Sequence, residues 1–336
     1  MDNWHSFLKK NGAKFSNKKE ISFEKIQPIV DHSEKESFFI PLTHLGLIQL
    51  EGTDARQFLQ GQVTCDVRLL SKDNSIFGAR CTPKGRTLTN FQLHETCDDK
   101  LLMIMHRSLI GLVIKDLSRY AAFFKITLID ATELYAIFGL VNVTLDNQFD
   151  VISSFSYKDG RELVTVAGHH ATDLWDELSN ISTVAGYNSW ETLNIQSGIP
   201  ILQKETSGSF VPQMLNLDYL DAISFTKGCY TGQEVVARMR YLGKLKRKMY
   251  RIIRTSNQIV PPGTPCYVED INQISGYVIS SVQIDSNFQE LLAVLTDQAA
   301  VSQHMSIGSA DIEKIQYLPL SLSLIHISEP TRRTSI

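Results

Sequence analysis

The sequence contains no uninterrupted apolar run that is long enough to cross a membrane as a helix. Its most apolar stretch, 101–114, is broken by His106 and Arg107, whereas a spanning helix needs about 20 apolar residues. The start of the chain carries Lys9 and Lys10 and has no apolar core of the kind found in secretory signal peptides. We therefore expect a cytoplasmic protein of the bacterial type that makes no membrane contact.

Cysteine is sparse, and an overall basic excess is missing. The five cysteines form no Cys-x-x-Cys pair and no short Cys/His cluster, so the sequence signals neither a zinc site nor a disulfide framework, and we predict no metal site. An odd number of cysteines fits a reducing compartment. The formal net charge of −3 gives no overall positive field for nucleic acid, so any RNA contact has to come from a local basic patch.

What is present is a 336-residue chain with 43% hydrophobic residues, which is enough for two or three domains. Strand-like runs mixed with amphipathic helical spacing predict an α+β fold rather than strict β-α alternation. After Arg247 the helical signals stop, and short β-like runs separated by Pro and Gly turns predict a small barrel. The expected organisation is a loosely held lead-in (1–38), a first α+β domain (39–140), a second α+β domain (141–245), a β-barrel (246–318) and a tail (319–336).

The tail contains the run SLIHISEPTR, which is similar to the translation of a sequencing-adapter read-through. We therefore expect residues 319–336 to be non-native, with a native flexible tail as the alternative, and exclude them from the fold prediction.

The most informative segment is the octapeptide KGCYTGQE, which runs from Lys227 to Glu234. The spacing of Thr231 and Glu234 is that of a capping box and predicts a helix that begins at Thr231. Cys229 would then precede the positively polarised end of that helix, with Lys227 two residues away. Such surroundings lower the pKa of a thiol from its free value of about 8.5 and favour a reactive, exposed Cys229. A cysteine that only packs in a glycine-rich turn is the alternative, and local chemistry does not decide between them.

This octapeptide resembles the signature of the YgfZ family, whose members are folate-binding relatives of the glycine-cleavage T-protein. Further blocks similar to the family follow in the family's order: FLQGQVTCDV (58–67), CTPKGR (81–86), FVPQMLNLDYLDAISF (210–225) and VVARMRYLGKLKR (235–247). The resemblance covers roughly 39–317. It implies a T-protein-like fold in which two related α+β folate-binding domains and a C-terminal small β-barrel form a ring around a central folate site.

The resemblance also implies a function. It suggests an accessory protein that binds tetrahydrofolate and serves the assembly or repair of iron–sulfur enzymes, including tRNA-modifying ones, with Cys229 as the reactive residue. The expected partners are those iron–sulfur client proteins and tRNA-modifying enzymes. A single cysteine does not hold a cluster that normally takes four thiolates, so Cys229 is expected to act transiently. We expect a monomer that is not a conventional enzyme.

A folate needs hydrogen-bonding groups for its pterin and cations for its carboxylate tail. Lys84 and Arg86 are candidates for the tail, with a charged hairpin turn as the plain alternative. The segment NIQSGIP (194–200) resembles the family segment in which a glutamate faces the pterin, and here that position is Gln196. Glutamine keeps an acceptor but loses the charge. The predicted cofactor-binding set is completed by Gly228, Gln233, Glu234 and Arg238.

Two other functions stay open at the level of sequence. One is a tetrahydrofolate-dependent aminomethyltransferase like the T-protein, but the aspartate on which that chemistry relies falls near Thr89 and Asn90, and neither is a carboxylate. Transferase activity would then lack its main electrostatic support. The other is an RNA-binding tRNA-modification factor, since seven basic residues lie between Arg238 and Arg251 without an acidic one.

Overall fold

The computed structural model describes the chain over residues 2–23, 36–96, 100–145, 149–268, 273–308 and 311–320. Cys97 and residues 321–336, which include the SLIHISEPTR run, lie outside these ranges, so the expectation of a non-native tail stays a prediction.

The chain begins with a helix and a two-stranded hairpin, α1 (Asp2–Lys10), β1 (Ala13–Phe15) and β2 (Ile21–Phe23). Trp4 and Leu8 of α1 are buried. The Trp4 ring packs against Phe138 and Trp175 at centroid distances of 5.6 and 6.2 Å. Because these rings belong to the folded body, the start of the predicted lead-in is packed onto it.

The next part of the chain builds one five-stranded sheet and contributes to a second. Its elements are β3 (Phe38–Pro41), β4 (Leu45–Glu51), α2 (Ala55–Gln60), β5 (Ile76–Cys81), β6 (Thr87–Glu95), β7 (Leu101–His106), α3 (Ile110–Ala121), β8 (Thr127–Asp130) and β9 (Tyr135–Val141). The first sheet has the order β5-β6-β7-β4-β8. Strand β7 is buried along its whole length, as expected for a near-continuous apolar run covered on both faces.

The second sheet combines strands from before and after the predicted domain boundary. It has the order β10-β11-β9-β3-β12, in which only β12 and β3 pair in parallel. The added elements are β10 (Ser153–Ser156), β11 (Glu162–Ala167), α4 (Ala171–Ile181), β12 (Thr183–Val184) and α5 (Tyr187–Gln196). Strand β9 spans the predicted boundary at residue 140, and both β3 and β9 pair within this sheet. The domain limits therefore stay a prediction, whereas the two sheets are established.

The last part of the chain forms α6 (Gln233–Tyr241) and a closed barrel of six strands in the order β13-β16-β15-β14-β17-β18. The barrel strands are β13 (Arg247–Thr255), β14 (Pro265–Val268), β15 (Gly276–Gln283), β16 (Phe288–Thr296), β17 (His304–Ile307) and β18 (Glu313–Leu318). One hydrophobic core joins the sheets to the barrel, with members such as Ile48, Leu193 and Leu292. The predicted α+β class with a C-terminal small β-barrel is confirmed.

Within the described ranges, no helix combines the length and the apolar character that a membrane crossing requires.

Candidate functional site

The loop that carries Cys229 is tied down on the N-terminal side by Lys227. This lysine is 4% exposed, and its Nζ donates hydrogen bonds to the carbonyl oxygens of Val63 and Cys65 at 3.0 and 2.6 Å. Burial lowers the pKa of Lys227 to about 8. The ammonium therefore tethers the loop to the Phe58–Val67 block, and its predicted effect on the Cys229 thiol stays a prediction.

On the other side of the cysteine, Thr231 ties the loop to the same block. Its amide donates to the Gly61 carbonyl oxygen at 3.2 Å, and its Oγ1 donates to Gln62 Oε1 at 3.3 Å. The capping box is therefore wrong: helix α6 begins at Gln233, and its N-cap is Gly232 with no side-chain cap. The threonine hydroxyl is engaged with Gln62 and does not cap the helix.

Gly232 takes a conformation and a space that a larger residue would not accept. Its φ is +87°, and a Cβ there would lie 2.5 Å from the carbonyl oxygen of Thr82. At the next residue, Gln233 Oε1 accepts a hydrogen bond from the amide of Tyr230 at 3.3 Å. The space beside Gly232 is thus filled by the chain's own turn after β5.

Between these anchors, Gly228 and Cys229 are exposed. The other described cysteines are Cys65, Cys81 and Cys266, and all three are buried. Burial raises the pKa of each of these three thiols to about 12. The prediction that the Cys229 thiol is exposed is confirmed, and among the described cysteines it is the one that solvent reaches.

The turn between β5 and β6 packs against the start of α6. Gly85 has φ +67°, and a Cβ there would lie 2.6 Å from Cβ of Val235. The flanking Lys84 and Arg86 are exposed, and Arg86 Nη1 donates to the Ser209 carbonyl oxygen at 2.9 Å. The structure thus brings two predicted blocks together. We call their exposed residues the Cys229 surface: Lys84, Arg86, Gly228, Cys229, Glu234 and Arg238.

The basic stretch from Arg238 to Arg251 begins in the last turn of α6 and is only partly available to a partner. Arg251 is paired with Glu290 at 2.9 and 2.8 Å, and the Arg240 guanidinium lies 5.2 Å from the centre of the Phe225 ring. The exposed basic residues are Arg238, Arg240, Lys244, Lys246 and Lys248. Next to them, Tyr241 is 68% exposed.

A cavity of about 500 Å³ is lined by none of the residues of the Cys229 surface. Its lining comes from the start of β5, the β10–β11 hairpin, the segment after α5 and the stretch around 220. The lining residues are Leu69, Asn74, Ser75, Ile76, Phe77, Phe155, Ser156, Tyr157, Lys158, Asp159, Ser197, Ile199, Leu220 and Asp221. Lys84 and Arg86 are not among them, whereas Gln196 is half-buried directly before Ser197. None of the residues predicted to bind the cofactor therefore lines this cavity, and Gln196 comes nearest to it in the sequence.

One wall of the cavity is aromatic. The rings of Phe155 and Tyr157 meet at 4.9 Å, and those of Phe77 and Phe155 at 6.3 Å. Lys158 lines the same cavity and forms an ion pair with Asp221 at 2.6 Å. Its charge is therefore balanced locally at the edge of the cavity.

Asp159 adds a carboxylate to this wall, held by a buried arginine. Arg161 is fully buried, and its guanidinium carbon lies 4.8 Å from the Tyr157 ring and 4.5 Å from the Trp190 ring. Its Nε donates to Asp159 Oδ2 at 2.9 Å, and Nη2 lies 2.8 Å from the same oxygen. Partial burial opposes ionisation of Asp159, but Arg161 outweighs it and keeps the pKa of the carboxyl below its usual value.

Sequence reasoning missed this wall. The Asp159-Gly160 pair between two strand-like runs is typical of a hairpin turn, and the chain does turn there, since the Gly160 amide donates to the Tyr157 carbonyl oxygen at 3.0 Å. The turn signal carries no information about the cavity that the hairpin faces.

The position where the T-protein resemblance expects an aspartate is filled by buried polar residues with structural contacts. Asn90 Nδ2 donates to the Pro200 carbonyl oxygen at 2.7 Å, and Asn90 Oδ1 accepts from the Leu202 amide at 3.1 Å. Thr89 Oγ1 donates to the Asn90 carbonyl oxygen at 3.0 Å. Asn90 therefore fixes the segment that follows α5 and leads from Gln196 past the cavity.

Comparison with known proteins agrees with this architecture. No protein-family model matches the chain. The tRNA-modifying protein YgfZ of Colwellia psychrerythraea is 36% identical over 231 residues, which cover 64% of this chain and 71% of that protein. The protein of the same name from Yersinia enterocolitica is 29% identical over 324 residues, covering 88% and 96%.

Among solved structures, the glycine cleavage system aminomethyltransferase T from Bartonella henselae superposes with a TM-score of 0.74. The match covers 95% of this chain and 96% of that one at 13% sequence identity, so it establishes the T-protein-like fold alone. With the sequence relatives, it leads to one conclusion: the chain belongs to the YgfZ family.

Proposed function

We propose that this protein is a folate-binding accessory protein that supports tRNA modification by serving the assembly or repair of iron–sulfur enzymes. Its relatives bear the name tRNA-modifying protein. The observation that carries the proposal is the combination of a ligand-sized cavity with a rigidly anchored, exposed thiol on a separate surface. Such an arrangement suits a protein that binds a small molecule in one place and meets a client protein in another.

Tetrahydrofolate fits the chemistry of the cavity. A volume of about 500 Å³ lies within the range of about 300–1,000 Å³ that small-molecule sites occupy. The rings of Phe77, Phe155 and Tyr157 offer faces for a flat pterin, and Asp159 offers an acceptor for its amino groups. Folate itself would supply one-carbon chemistry, and the chain's own residues would bind and orient it.

The Cys229 loop suits a transient thiolate contact. Lys227 and Thr231 fix the backbone on both sides of the cysteine through hydrogen bonds to residues 61–65, so the thiol is offered without a large entropy cost. One thiolate satisfies only part of a cluster that normally takes four, so the client supplies the other ligands. The expected partners are accordingly iron–sulfur client proteins, among them tRNA-modifying enzymes.

The test combines binding with a cellular readout. Calorimetric titration of the chain ending at Leu318 with tetrahydrofolate should give saturable binding, and Cys229→Ser should bind equally well. In cells without their own family member, the wild-type chain should restore the activity of an iron–sulfur tRNA-modifying enzyme, whereas Cys229→Ser should not. Absence of binding would overturn the folate part of the proposal, and full rescue by Cys229→Ser would overturn the role of the thiol.

The T-protein-like fold makes aminomethyl transfer to tetrahydrofolate the second candidate. Against it stands Asn90, whose amide is engaged with the backbone of Pro200 and Leu202 and which brings no charge to steer the folate amine. Production of a one-carbon tetrahydrofolate by the purified chain, lost in a cavity variant such as Phe155→Asp, would favour the transferase.

A weak RNA contact through the stretch from Arg238 to Arg251 is a further part of the proposal. It is supported by the exposed Lys246 and Lys248 and by the exposed ring of Tyr241. The slope of log K against log salt concentration is negative, and each lost phosphate contact reduces its magnitude by about 0.7–0.9. Lys246→Ala/Lys248→Ala should therefore flatten the salt dependence of tRNA binding, whereas the matched surface pair Lys9→Ala/Lys10→Ala should leave it unchanged. An equal slope in both variants would overturn the contact.

A further inference from the structure

The cavity wall contains a carboxylate whose hydrogen-bonding capacity is not used up. Asp159 Oδ2 accepts from Arg161 Nε at 2.9 Å and from Ser197 Oγ at 2.5 Å, and it also lies 2.8 Å from Arg161 Nη2. Asp159 Oδ1 accepts from the Arg161 amide at 3.2 Å. A carboxylate oxygen accepts about two hydrogen bonds, so Oδ2 is saturated and Oδ1 has capacity for one more.

The carboxylate is also fixed in place. Arg161 is fully buried against the rings of Tyr157 and Trp190, and its Nη1 donates to Asn194 Oδ1 on α5 at 3.0 Å. Ser197, one residue beyond Gln196, holds Asp159 from the other side. The Asp159 side chain is 19% exposed and lines the cavity. The carboxylate is therefore held in a fixed position in the cavity wall, which reduces the entropy cost of binding.

We propose that Asp159 is the residue that recognises the pterin in this protein, with Oδ1 accepting a hydrogen bond from the 2-amino group of the pyrimidine ring. This inference rests on the proposed folate binding and deepens it. The pyrimidine edge of a pterin presents an amino group and a ring N–H, which are both donors. A neutral side chain such as Gln196 would offer one acceptor together with two competing donors, whereas Asp159 offers charge and no donor. The carboxylate needed on this edge thus comes from the β10–β11 hairpin, not from the end of α5.

The chain provides a matched control in Asp221. It lines the same cavity and carries the same charge, but its side chain is 78% exposed and pairs with Lys158 at the edge. Asp159→Asn and Asp221→Asn therefore remove one negative charge each from the same cavity, while only the first replaces the carboxylate held by Arg161 with an amide, whose NH2 group is a competing donor. Asp159→Glu is the conservative variant that retains the charge.

The experiment is calorimetric titration with two probes, tetrahydrofolate and its analogue in which a methyl group replaces the 2-amino group. Wild type and Asp221→Asn should bind tetrahydrofolate at least about tenfold more tightly than the analogue, as expected for a charge-assisted hydrogen bond. Asp159→Asn should bind both probes with nearly equal affinity, and Asp159→Glu should regain part of the preference. A purely structural role of Asp159 would weaken both probes equally and leave their ratio unchanged.

The outcomes separate the two levels of the proposal. If wild type binds neither probe, folate binding itself is overturned. If wild type binds tetrahydrofolate and Asp159→Asn keeps the full preference over the analogue, only the role of Asp159 is overturned. Circular dichroism of each variant at the titration temperature shows that the compared proteins are folded.

Discussion

The cavity wall and the Cys229 loop both contain a buried cation, but the two cations have different partners. Arg161 pairs with the carboxylate of Asp159 and packs against two aromatic rings. Lys227 instead donates to two main-chain carbonyl oxygens, those of Val63 and Cys65. Arg161 thus positions a functional side chain, whereas Lys227 positions a stretch of backbone.

This difference matches what each region presents to the outside. The cavity needs one polar group whose position is fixed to within about 0.5 Å. Specificity for a small molecule depends on the placement of a few acceptors and donors. The Cys229 loop needs only an accessible thiol on a firm backbone, because a protein partner brings its own contacts. Substitution of each cation should therefore damage one region and spare the other.

The largest effect is expected for Arg161→Met. It removes the guanidinium and leaves the Asp159 carboxylate without its main partner, which typically costs about 3–5 kcal/mol when a buried pair is broken. Urea unfolding should show this loss of stability, and tetrahydrofolate binding should disappear. Lys158→Met breaks an exposed pair in the same cavity and should cost about 0–1 kcal/mol. Equal destabilisation by both variants would contradict the role given to Arg161.

A smaller, pH-dependent effect is expected for Glu191→Gln. Glu191 on α5 is buried, its Oε2 accepts from Asn194 Nδ2 at 3.2 Å, and burial raises the pKa of this carboxyl to about 7. Between pH 4.5 and 7 the unfolded state releases this proton while the folded state keeps it, so its contribution to stability is lost as pH rises. Glutamine does not titrate, so Glu191→Gln should be more stable than wild type at pH 8, by up to about 3 kcal/mol.

The measurement is urea unfolding of both proteins at pH 4.5, 6 and 8. The difference between them should grow with pH across this window and then level off. A constant difference would mean that Glu191 is ionised in the folded protein throughout.

Much of the fold could be predicted from local patterns. The apolar runs at 76–81 and 101–105 and the helical face from Leu109 to Tyr120 appear as β5, β7 and α3, because tertiary packing agrees with their periodicity. The capping-box prediction was wrong because a tertiary contact overrides the local pattern. The Thr231 hydroxyl has a competing partner, Gln62, that lies 169 positions away in sequence, and local spacing cannot anticipate such a contact.

The candidate site also has one part that could be predicted from the sequence and one part that could not. Exposure of Cys229 is predicted from its place ahead of a helix N-terminus and is confirmed, although that helix begins at Gln233 and not at Thr231. The cavity depends on contacts between distant strands, such as the hydrogen bond from Gln92 Nε2 to the Tyr157 hydroxyl at 2.8 Å, and no local signal marks them. The cavity wall at Asp159 therefore could not be predicted from the sequence, because it depends on how the two sheets pack.

The smallest loss of stability is expected for Lys227→Met, which tests the role of the buried cation in the Cys229 loop. Two buried carbonyl oxygens, those of Val63 and Cys65, would lose their donor, a loss of about 1–3 kcal/mol that is partly offset because a buried cation is also removed. Since Lys227 Nζ donates to Val63 and Cys65, neither of which lines the cavity, tetrahydrofolate affinity should stay within about twofold of wild type. Reaction of Cys229 with a thiol reagent, followed in a Cys97→Ser background, should change rate because the loop has lost one anchor.

The matched control is Arg238→Met, which removes an exposed cation from α6 without touching a buried carbonyl group and should leave the free energy of unfolding nearly unchanged. If Lys227→Met abolished folate binding while Cys229 reacted as before, the buried lysine would serve the cavity and not the loop. The division of labour between the two buried cations would then be wrong, and with it the separation of the ligand cavity from the thiol surface.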